Sequence, residues 1–174
     1  MKKIILTLSV AILFTNGAFA QPSSLHLRSE SAFVLDAEHG NVIYGKNADD
    51  IRPIASITKL MTAMVVLDAN LPLTEEITIR SDDIDRIKNT RSRLSVGARL
   101  TREEILLLAL MSSDNRAAAA LGRTYPGGAQ AFVKAMNNKA FELGMGSSFF
   151  VESTGLSSRN VSTARDLAKL VEAA

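Results

Sequence analysis

The feature that most constrains the fold of this chain is an apolar run over residues 57–67. Only Thr58, Lys59 and Thr62 are polar within it. A helix that is apolar on nearly every side is stable only inside a core that other elements surround. The run therefore predicts a buried helix, which the segment 68–72 ends with a proline. A chain of 174 residues is long enough to build a core around it.

Ser56 and Lys59 lie at the start of the predicted helix, three residues apart. At this spacing the two side chains share one face of a helix. In one interpretation Ser56 caps the helix and Lys59 stretches toward water. In the other, burial and the positive helix terminus favour the neutral lysine amine, which could activate the serine hydroxyl as a nucleophile. The Ser56 N–H would then be an oxyanion donor. These residues alone leave both interpretations open.

The same spacing recurs at Ser162 and Arg165, also at the start of a predicted helix. An arginine keeps its proton in a protein, so this second pair cannot act as nucleophile and base. We interpret it as a helix cap. The spacing of Ser56 and Lys59 is therefore not sufficient by itself to indicate catalysis.

A second polar cluster is the tripeptide Ser-Asp-Asn at 113–115, which interrupts two apolar segments, LLLALM and AAAAL. Polar groups held between buried helices must find partners or line a cavity. The alternative is an ordinary joint between two helices, with Ser113 or Asn115 as the cap. A similar tripeptide at 158–160 lies in a loop rich in serine, where such residues are expected. Only the first tripeptide therefore indicates a functional site.

The other segments predict a hairpin and a short strand. Two β-rich runs, 31–36 and 41–45, flank a turn. A short strand is expected within 76–80. The charged segment 81–93 shows no clear period, and we expect it to be a solvated surface region.

Several more helices are predicted downstream. Thr101 and Glu104 form a capping box, so a second buried helix should begin near Arg102. Further helices are expected at 116–123, at 129–143 before a stop at Gly144, and from a cap at Ser162 or Thr163 to Ala174.

The first twenty residues have the pattern of a secretory signal peptide: two lysines, an apolar run over 4–14, and a small-x-small site at 18–20. The apolar run is too short for a membrane span, which needs about 20 residues. We therefore expect an exported protein without a transmembrane span in its mature chain. The predicted organisation is a signal peptide at 1–20, a flexible leader at 21–30 and one domain at 31–174.

Composition excludes several classes of function. The signal segment holds two of the 20 basic residues, so the mature chain carries as many basic as acidic side chains. No basic patch with interleaved aromatic residues indicates a nucleic-acid partner. The chain has no cysteine, which excludes disulfides, thiolate nucleophiles and cysteine-bound metals. It has two histidines and no H-E-x-x-H pattern, so the base of a hydrolase would not be histidine.

SITK at 56–59 followed by SDN at 113–115 resembles the first two motifs of the penicillin-recognising serine hydrolases. Three longer strings, RPIASITKLMTAMVVLDA, LLLALMSSDNRAAAAL and VESTGLSSRNVSTARDLAKL, resemble the D-alanyl-D-alanine endopeptidases of the penicillin-binding protein 7 type. The similarity covers about residues 31–174. It implies an α+β fold of the DD-peptidase/β-lactamase kind, with an antiparallel sheet flanked by helices and a mostly helical region.

The resemblance also implies roles for four residues. Ser56 would be the nucleophile that forms an acyl-enzyme, and Lys59 its general base. Ser113 would relay a proton to the leaving group, and Asn115 would bind the substrate amide and Lys59. The substrates would be peptidoglycan peptides, specifically the D-Ala–diaminopimelate cross-link, with β-lactams as acylating inhibitors, in the periplasm. No metal or organic cofactor is implied.

One motif of the family is missing from the sequence, because no K-T-G occurs in it. In the family this motif lies on a later strand and binds the substrate carboxylate. We therefore expect an incomplete domain that lacks the C-terminal strands. Two alternatives follow: an inactive truncated fragment that binds wall peptides weakly or does not fold, or a class A β-lactamase-like hydrolase with Glu152 as the deacylating base. The similarity around VESTGL favours a structural loop role for Glu152.

Overall fold

The computed structural model describes residues 27–174, which form helices and three small antiparallel sheets. The predicted signal peptide and the first residues of the leader lie outside the described residues. The described helices are α1 (Thr58–Asp68), α2 (Arg102–Met111), α3 (Asn115–Arg123), α4 (Gly128–Glu142) and α5 (Ala164–Glu172). The strands are β1 (Ala32–Leu35), β2 (Val42–Lys46), β3 (Arg52–Pro53), β4 (Glu76–Thr78), β5 (Arg99–Thr101) and β6 (Val161–Ser162).

The predicted hairpin is confirmed, since β1 pairs with β2 in an antiparallel register that sets Ala32 opposite Lys46. The turn between them is held by the Asp36 carbonyl, which accepts the Gly40 N–H at 2.8 Å. The other two sheets join distant parts of the chain: β3 pairs with β6, and β4 with β5. The mixed α+β class is therefore confirmed, with the strand pairing of residues 27–174 distributed over three two-stranded sheets.

Helix α1 is the buried helix that the apolar run predicts. Met61 is fully buried, and Val65 and Val66 are nearly so. Helices α2, α3, α4 and α5 all contact α1. The core around it includes Ile105, Leu121, Phe132, Met136, Phe150 and Leu170, each fully buried. Burial of such side chains stabilises the fold by about 1.5–3 kcal/mol each.

Helix α2 begins as predicted but is less buried than expected. The Thr101 hydroxyl accepts the Glu104 N–H at 3.2 Å, and the Glu104 carboxylate accepts the Thr101 N–H at 2.7 Å, as in a capping box. Ile105 and Ala109 face the core, whereas Met111 is 83% exposed. The expectation of a deeply buried second helix holds for only one face of α2, because the other face of the ILLLALM run is left to solvent. Helix α3, which is rich in small alanines, lies deeper.

The charged segment 81–93 was expected to be a solvated surface, and this expectation was wrong for two of its carboxylates. Asp83 is 2% exposed and accepts two hydrogen bonds from Arg123. Asp85 is also buried and binds the backbone of its own loop. A periodicity search misses such residues because a loop that folds around a carboxylate has no repeat.

The Ser162–Arg165 pair has a structural role, as predicted, although the capping residue is Thr163. The Thr163 hydroxyl accepts the Asp166 N–H at the start of α5. Ser162 is buried in β6 and shares a hydrogen bond of 2.7 Å with Ser148. Arg165 pairs with Asp49.

Among the described residues, no helix combines the length and the apolar character needed to cross a bilayer.

Candidate active site

Ser56 lies in a 3₁₀ turn, Ala55–Ile57, that leads directly into α1. Its side chain makes no capping bond to either helix, and it is exposed. The interpretation of Ser56 as a helix cap was therefore wrong. The preceding residue, Ala55, has a φ of +45°, a conformation that residues other than glycine seldom adopt. The Ser56 hydroxyl is thus exposed on a turn whose backbone is held in an uncommon geometry.

The strained turn is fixed by close contact with a loop formed by residues 149–160, the loop before β6. Gly155 in this loop has a φ of +83°, and a Cβ there would lie 1.9 Å from the Ala55 carbonyl oxygen. Only glycine allows the two backbones to approach this closely. The loop before β6 is therefore part of the Ser56 environment.

Lys59 is the second residue of α1 and is 3% exposed. Its amine nitrogen lies 3.2 Å from the Ser56 Oγ, 2.7 Å from the Asn115 Oδ1 and 2.7 Å from the Thr154 carbonyl oxygen. Burial lowers the pKa of this amine below its ordinary value of 10.5, and the nearby carboxylates of Glu152 and Asp114 act in the opposite direction. The structure thus brings Ser56, Lys59 and Asn115 into one cluster.

The Ser-Asp-Asn tripeptide forms the joint between α2 and α3. The cap of α3 is Asp114, whose carboxylate accepts the Ala117 N–H at 3.0 Å, and not Ser113 or Asn115. Ser113 is exposed with a φ of +52°, and its hydroxyl forms no hydrogen bond with the described residues. The structure therefore joins Asn115 to Lys59, but does not join Ser113 to them.

The three polar side chains within the apolar run, Thr58, Lys59 and Thr62, all contact the loop before β6. Thr58 accepts a hydrogen bond from the Asn160 Nδ2, and Thr62 donates to the Ser153 carbonyl oxygen at 2.7 Å. Lys59 donates to the Thr154 carbonyl. The polar interruptions in the apolar run thus connect the buried helix to this loop.

Asn160 and Glu152 hold the loop before β6 in shape. Asn160 is fully buried, and its amide group bonds Val151, Glu152 and Thr58. The Glu152 carboxylate accepts the N–H groups of Thr154 and Gly155 at 2.6 and 2.8 Å. These contacts favour the structural role for Glu152 over that of a deacylating base. The expectation that residues 158–160 are ordinary loop residues was wrong for Asn160.

A cavity of about 700 Å³ opens beside Asn115 and Thr154, between α3, α4 and residues 82–87. A volume of this size is typical of small-molecule sites. Its walls are mostly apolar and include Ile84, Ile87, Ala119, Phe132, Val133 and Leu156, and charged residues such as Asp82 and Arg86 also line it. No group of three His, Asp or Glu side chains within residues 27–174 is arranged to hold a metal ion.

A family model described as D-alanyl-D-alanine carboxypeptidase matches residues 17–174. The chain belongs to this family. A D-alanyl-D-alanine endopeptidase from Pseudomonas aeruginosa is 55% identical over 152 residues, which make up 87% of this chain and 49% of that protein. The chain spans about half the length of the curated relatives that it matches.

Two solved structures share the fold of this chain. The crystal structure of a Streptomyces DD-transpeptidase matches with a TM-score of 0.81 at 30% identity, over 87% of this chain and 62% of that one. A penicillin-binding protein from Listeria monocytogenes, in its ampicillin-bound form, matches with a TM-score of 0.72 at 35% identity, over 87% and 63%. The predicted fold and family are therefore confirmed.

The sequence did not reveal several residues around the Ser56 cluster of this family member. Thr154 reaches Lys59 through its carbonyl oxygen, which any residue could supply. Asp85 and Thr90 lie in the charged segment, where Thr90 accepts a hydrogen bond from Asn115. The sequence signal for this segment was the preference of aspartate for turns. It predicts a turn at Asp85, but not that the turn places the Thr90 hydroxyl next to Asn115.

Proposed function

We propose that this protein is a serine-type D-alanyl-D-alanine peptidase, an endopeptidase or carboxypeptidase that cleaves peptidoglycan peptides through an acyl-enzyme on Ser56. The observation that carries the proposal is the buried Lys59 amine, which lies within hydrogen-bond distance of the Ser56 hydroxyl. Membership of the D-alanyl-D-alanine carboxypeptidase family supports the substrate class.

The geometry around Lys59 supports its role as the general base. A neutral amine has two N–H donors and one lone pair. Two oxygen acceptors, on Asn115 and Thr154, lie 2.7 Å from the nitrogen and can take both donors. The lone pair is then left for the Ser56 hydroxyl proton at the longer distance of 3.2 Å. Burial, which lowers the pKa of the amine, increases the neutral fraction.

The proposed reaction has two acyl-transfer steps. Lys59 takes the Ser56 proton as Oγ attacks the carbonyl carbon of the penultimate D-Ala, and the Ser56 backbone N–H stabilises the oxyanion. The peptide C–N bond then breaks, and the leaving amine receives a proton, for which we propose Ser113 as the relay. Water attacks the resulting ester, which releases the peptide carboxylate and returns the proton to Ser56.

We propose that Asn115 binds the substrate amide. One hydrogen of its Nδ2 group is donated to Thr90 at 2.9 Å, so the second is available to an acceptor on the substrate. The cavity next to Asn115 has the volume for the peptide that extends from this amide. We also propose that β-lactams inhibit the protein by acylating Ser56. The relative solved in its ampicillin-bound form supports this.

The proposed location is the periplasm, reached through a signal peptide at 1–20. The leader at 21–30 and the peptidase domain from residue 31 complete the proposed organisation. Hydrolysis of peptidoglycan requires export, because the substrate lies outside the inner membrane.

The proposed function is tested by digestion of purified cross-linked muropeptides, with the products weighed by mass spectrometry. We expect cross-linked dimers to be converted to monomers, or terminal D-Ala to be lost. Ser56→Ala should abolish both reactions, whereas Ser162→Ala, the serine with the same spacing to a basic residue, should keep them. A folded protein that cleaves neither bond, or a Ser56→Ala variant that still cleaves, would contradict the proposal.

A further inference from the structure

A chain of hydrogen bonds runs from the charged segment to the Lys59 amine. The Asp85 carboxylate accepts the Thr90 hydroxyl at 2.7 Å. The Thr90 Oγ1 accepts the Asn115 Nδ2 at 2.9 Å. The Asn115 Oδ1 accepts the Lys59 amine at 2.7 Å. Thr90 and Asn115, which both lie far from Lys59 in the sequence, therefore link the buried Asp85 carboxylate to the proposed base.

The direction of each bond in this chain is fixed by the carboxylate. An ionised carboxylate has no proton to donate, so the Thr90 hydroxyl must donate its single hydrogen to Asp85. Thr90 can then only accept from Asn115, which must present its NH₂ group to Thr90. The carbonyl oxygen of the same amide is thereby turned toward Lys59.

Asp85 is held in its ionised form by its own loop. Burial favours the neutral carboxyl, but the N–H groups of Lys88, Thr90 and Ile87 and the Thr90 hydroxyl outweigh burial and keep the pKa of Asp85 well below its usual range. The carboxylate therefore remains an acceptor at every pH at which the proposed reaction would be studied.

Two further contacts fix this loop to the start of α3. The Ser92 hydroxyl donates to the Asp114 carboxylate at 2.7 Å. The Arg116 guanidinium donates to the Leu94 carbonyl. Because these contacts do not involve Thr90, the loop has anchors that a change at Thr90 leaves in place.

We infer that Thr90 is a positioning residue, which, held by Asp85, orients the Asn115 amide and through it the Lys59 amine toward Ser56. The inference rests on the proposed role of Lys59 as base. If the Asn115 amide were flipped, its NH₂ group would face the Lys59 amine, so that two hydrogen-bond donors would oppose each other. One N–H of Lys59 would then lose its acceptor and could donate to the Ser56 hydroxyl instead.

The test compares acylation by a fluorescent penicillin in the wild-type protein and in three variants. Thr90→Val keeps the shape of the side chain but removes the hydroxyl, and it should lower the second-order acylation rate roughly tenfold, the value of one well-formed hydrogen bond. Thr90→Ser restores the hydroxyl and should stay within about twofold of wild type. Thr101→Val removes a different threonine hydroxyl that bonds a carboxylate, and should lower the melting temperature without a change in acylation.

A second readout does not depend on catalysis. In NMR spectra, the side-chain amide protons of Asn115 should exchange with water faster, and the Lys59 side-chain signals should shift, in Thr90→Val but not in Thr90→Ser or Thr101→Val. Wild-type acylation in Thr90→Val, equal losses in Thr90→Val and Thr90→Ser, or unchanged NMR signals would overturn the inference. A wild-type protein that is not acylated would count against the proposed function instead, and the NMR comparison would still decide the role of Thr90.

Discussion

At the scale of single residues, the protonation of Lys59 follows from what surrounds its amine. Burial in the first turn of α1 favours the neutral form, while the carboxylates of Glu152 and Asp114 favour the charged one. The balance leaves the pKa of the amine below its ordinary value. A lysine in this position can take up a proton where an arginine cannot, which separates Lys59 from Arg165 at the same spacing.

The first prediction at this scale concerns pH. If acylation needs the neutral amine, the acylation rate rises with pH, and the midpoint of this rise lies below pH 10.5, because the pKa of Lys59 is lowered in the folded protein. Lys59→Arg should lower the plateau rate by roughly 10²–10⁴-fold, the usual contribution of a general base. The exposed Lys134 provides the control, since Lys134→Arg keeps its charge away from the cluster. Stopped-flow measurement of penicillin acylation checks both results, and a Lys59→Arg variant with the wild-type profile would rule out Lys59 as the base.

At the scale of elements, the loop before β6 and helix α1 form one unit. The loop bonds Thr58, Lys59 and Thr62 of α1, and its glycine touches the turn that carries Ser56. The sequence predicted α1, the hairpin, the α2 capping box and the helix over 129–143, because each has a local pattern. It predicted a loop in this region but not the contacts of the loop with α1, since a fully buried Asn160 and a backbone carbonyl that reaches Lys59 leave no periodic trace.

The prediction at this scale concerns Gly155. Gly155→Ala introduces a Cβ that meets the Ala55 carbonyl and forces a side chain into a φ of +83°. We expect the free energy of unfolding to fall by about 1–3 kcal/mol from backbone strain alone, with a further loss from the displaced loop. Acylation should fall as well, because the loop carries the Thr154 carbonyl. Gly146→Ala is the matched control: no atom lies within 4 Å of its Cβ position, and its stability in urea should match the wild type within about 0.5 kcal/mol. Equal stability of the two variants would show that the contact is not required.

At the scale of the whole molecule, the described chain combines a helical core with the Ser56, Lys59 and Asn115 cluster and an adjoining cavity. The order of the SITK and SDN motifs in the sequence, with the longer strings around them, was sufficient to predict the family, which the comparisons confirm. The sequence could not show that Asp85 and Thr90, in a segment that reads as solvated surface, lie next to Asn115, because the contact depends on how a loop closes on a distant helix. The proposed roles of Ser56, Lys59, Ser113 and Asn115 stay predictions for experiment.

The central claim is that Ser56 is the nucleophile of a serine acyl-transfer site, and peptide mapping after incubation with a penicillin tests it most directly. Trypsin should release residues 47–59 as one peptide, because the bond between Arg52 and Pro53 resists cleavage. Ser56 is the only serine in this peptide. We predict that this peptide alone gains the mass of one penicillin, that Ser56→Ala removes the gain, and that Ser162→Ala keeps it. An unmodified peptide from a folded protein, or an adduct that persists in Ser56→Ala, would contradict the account.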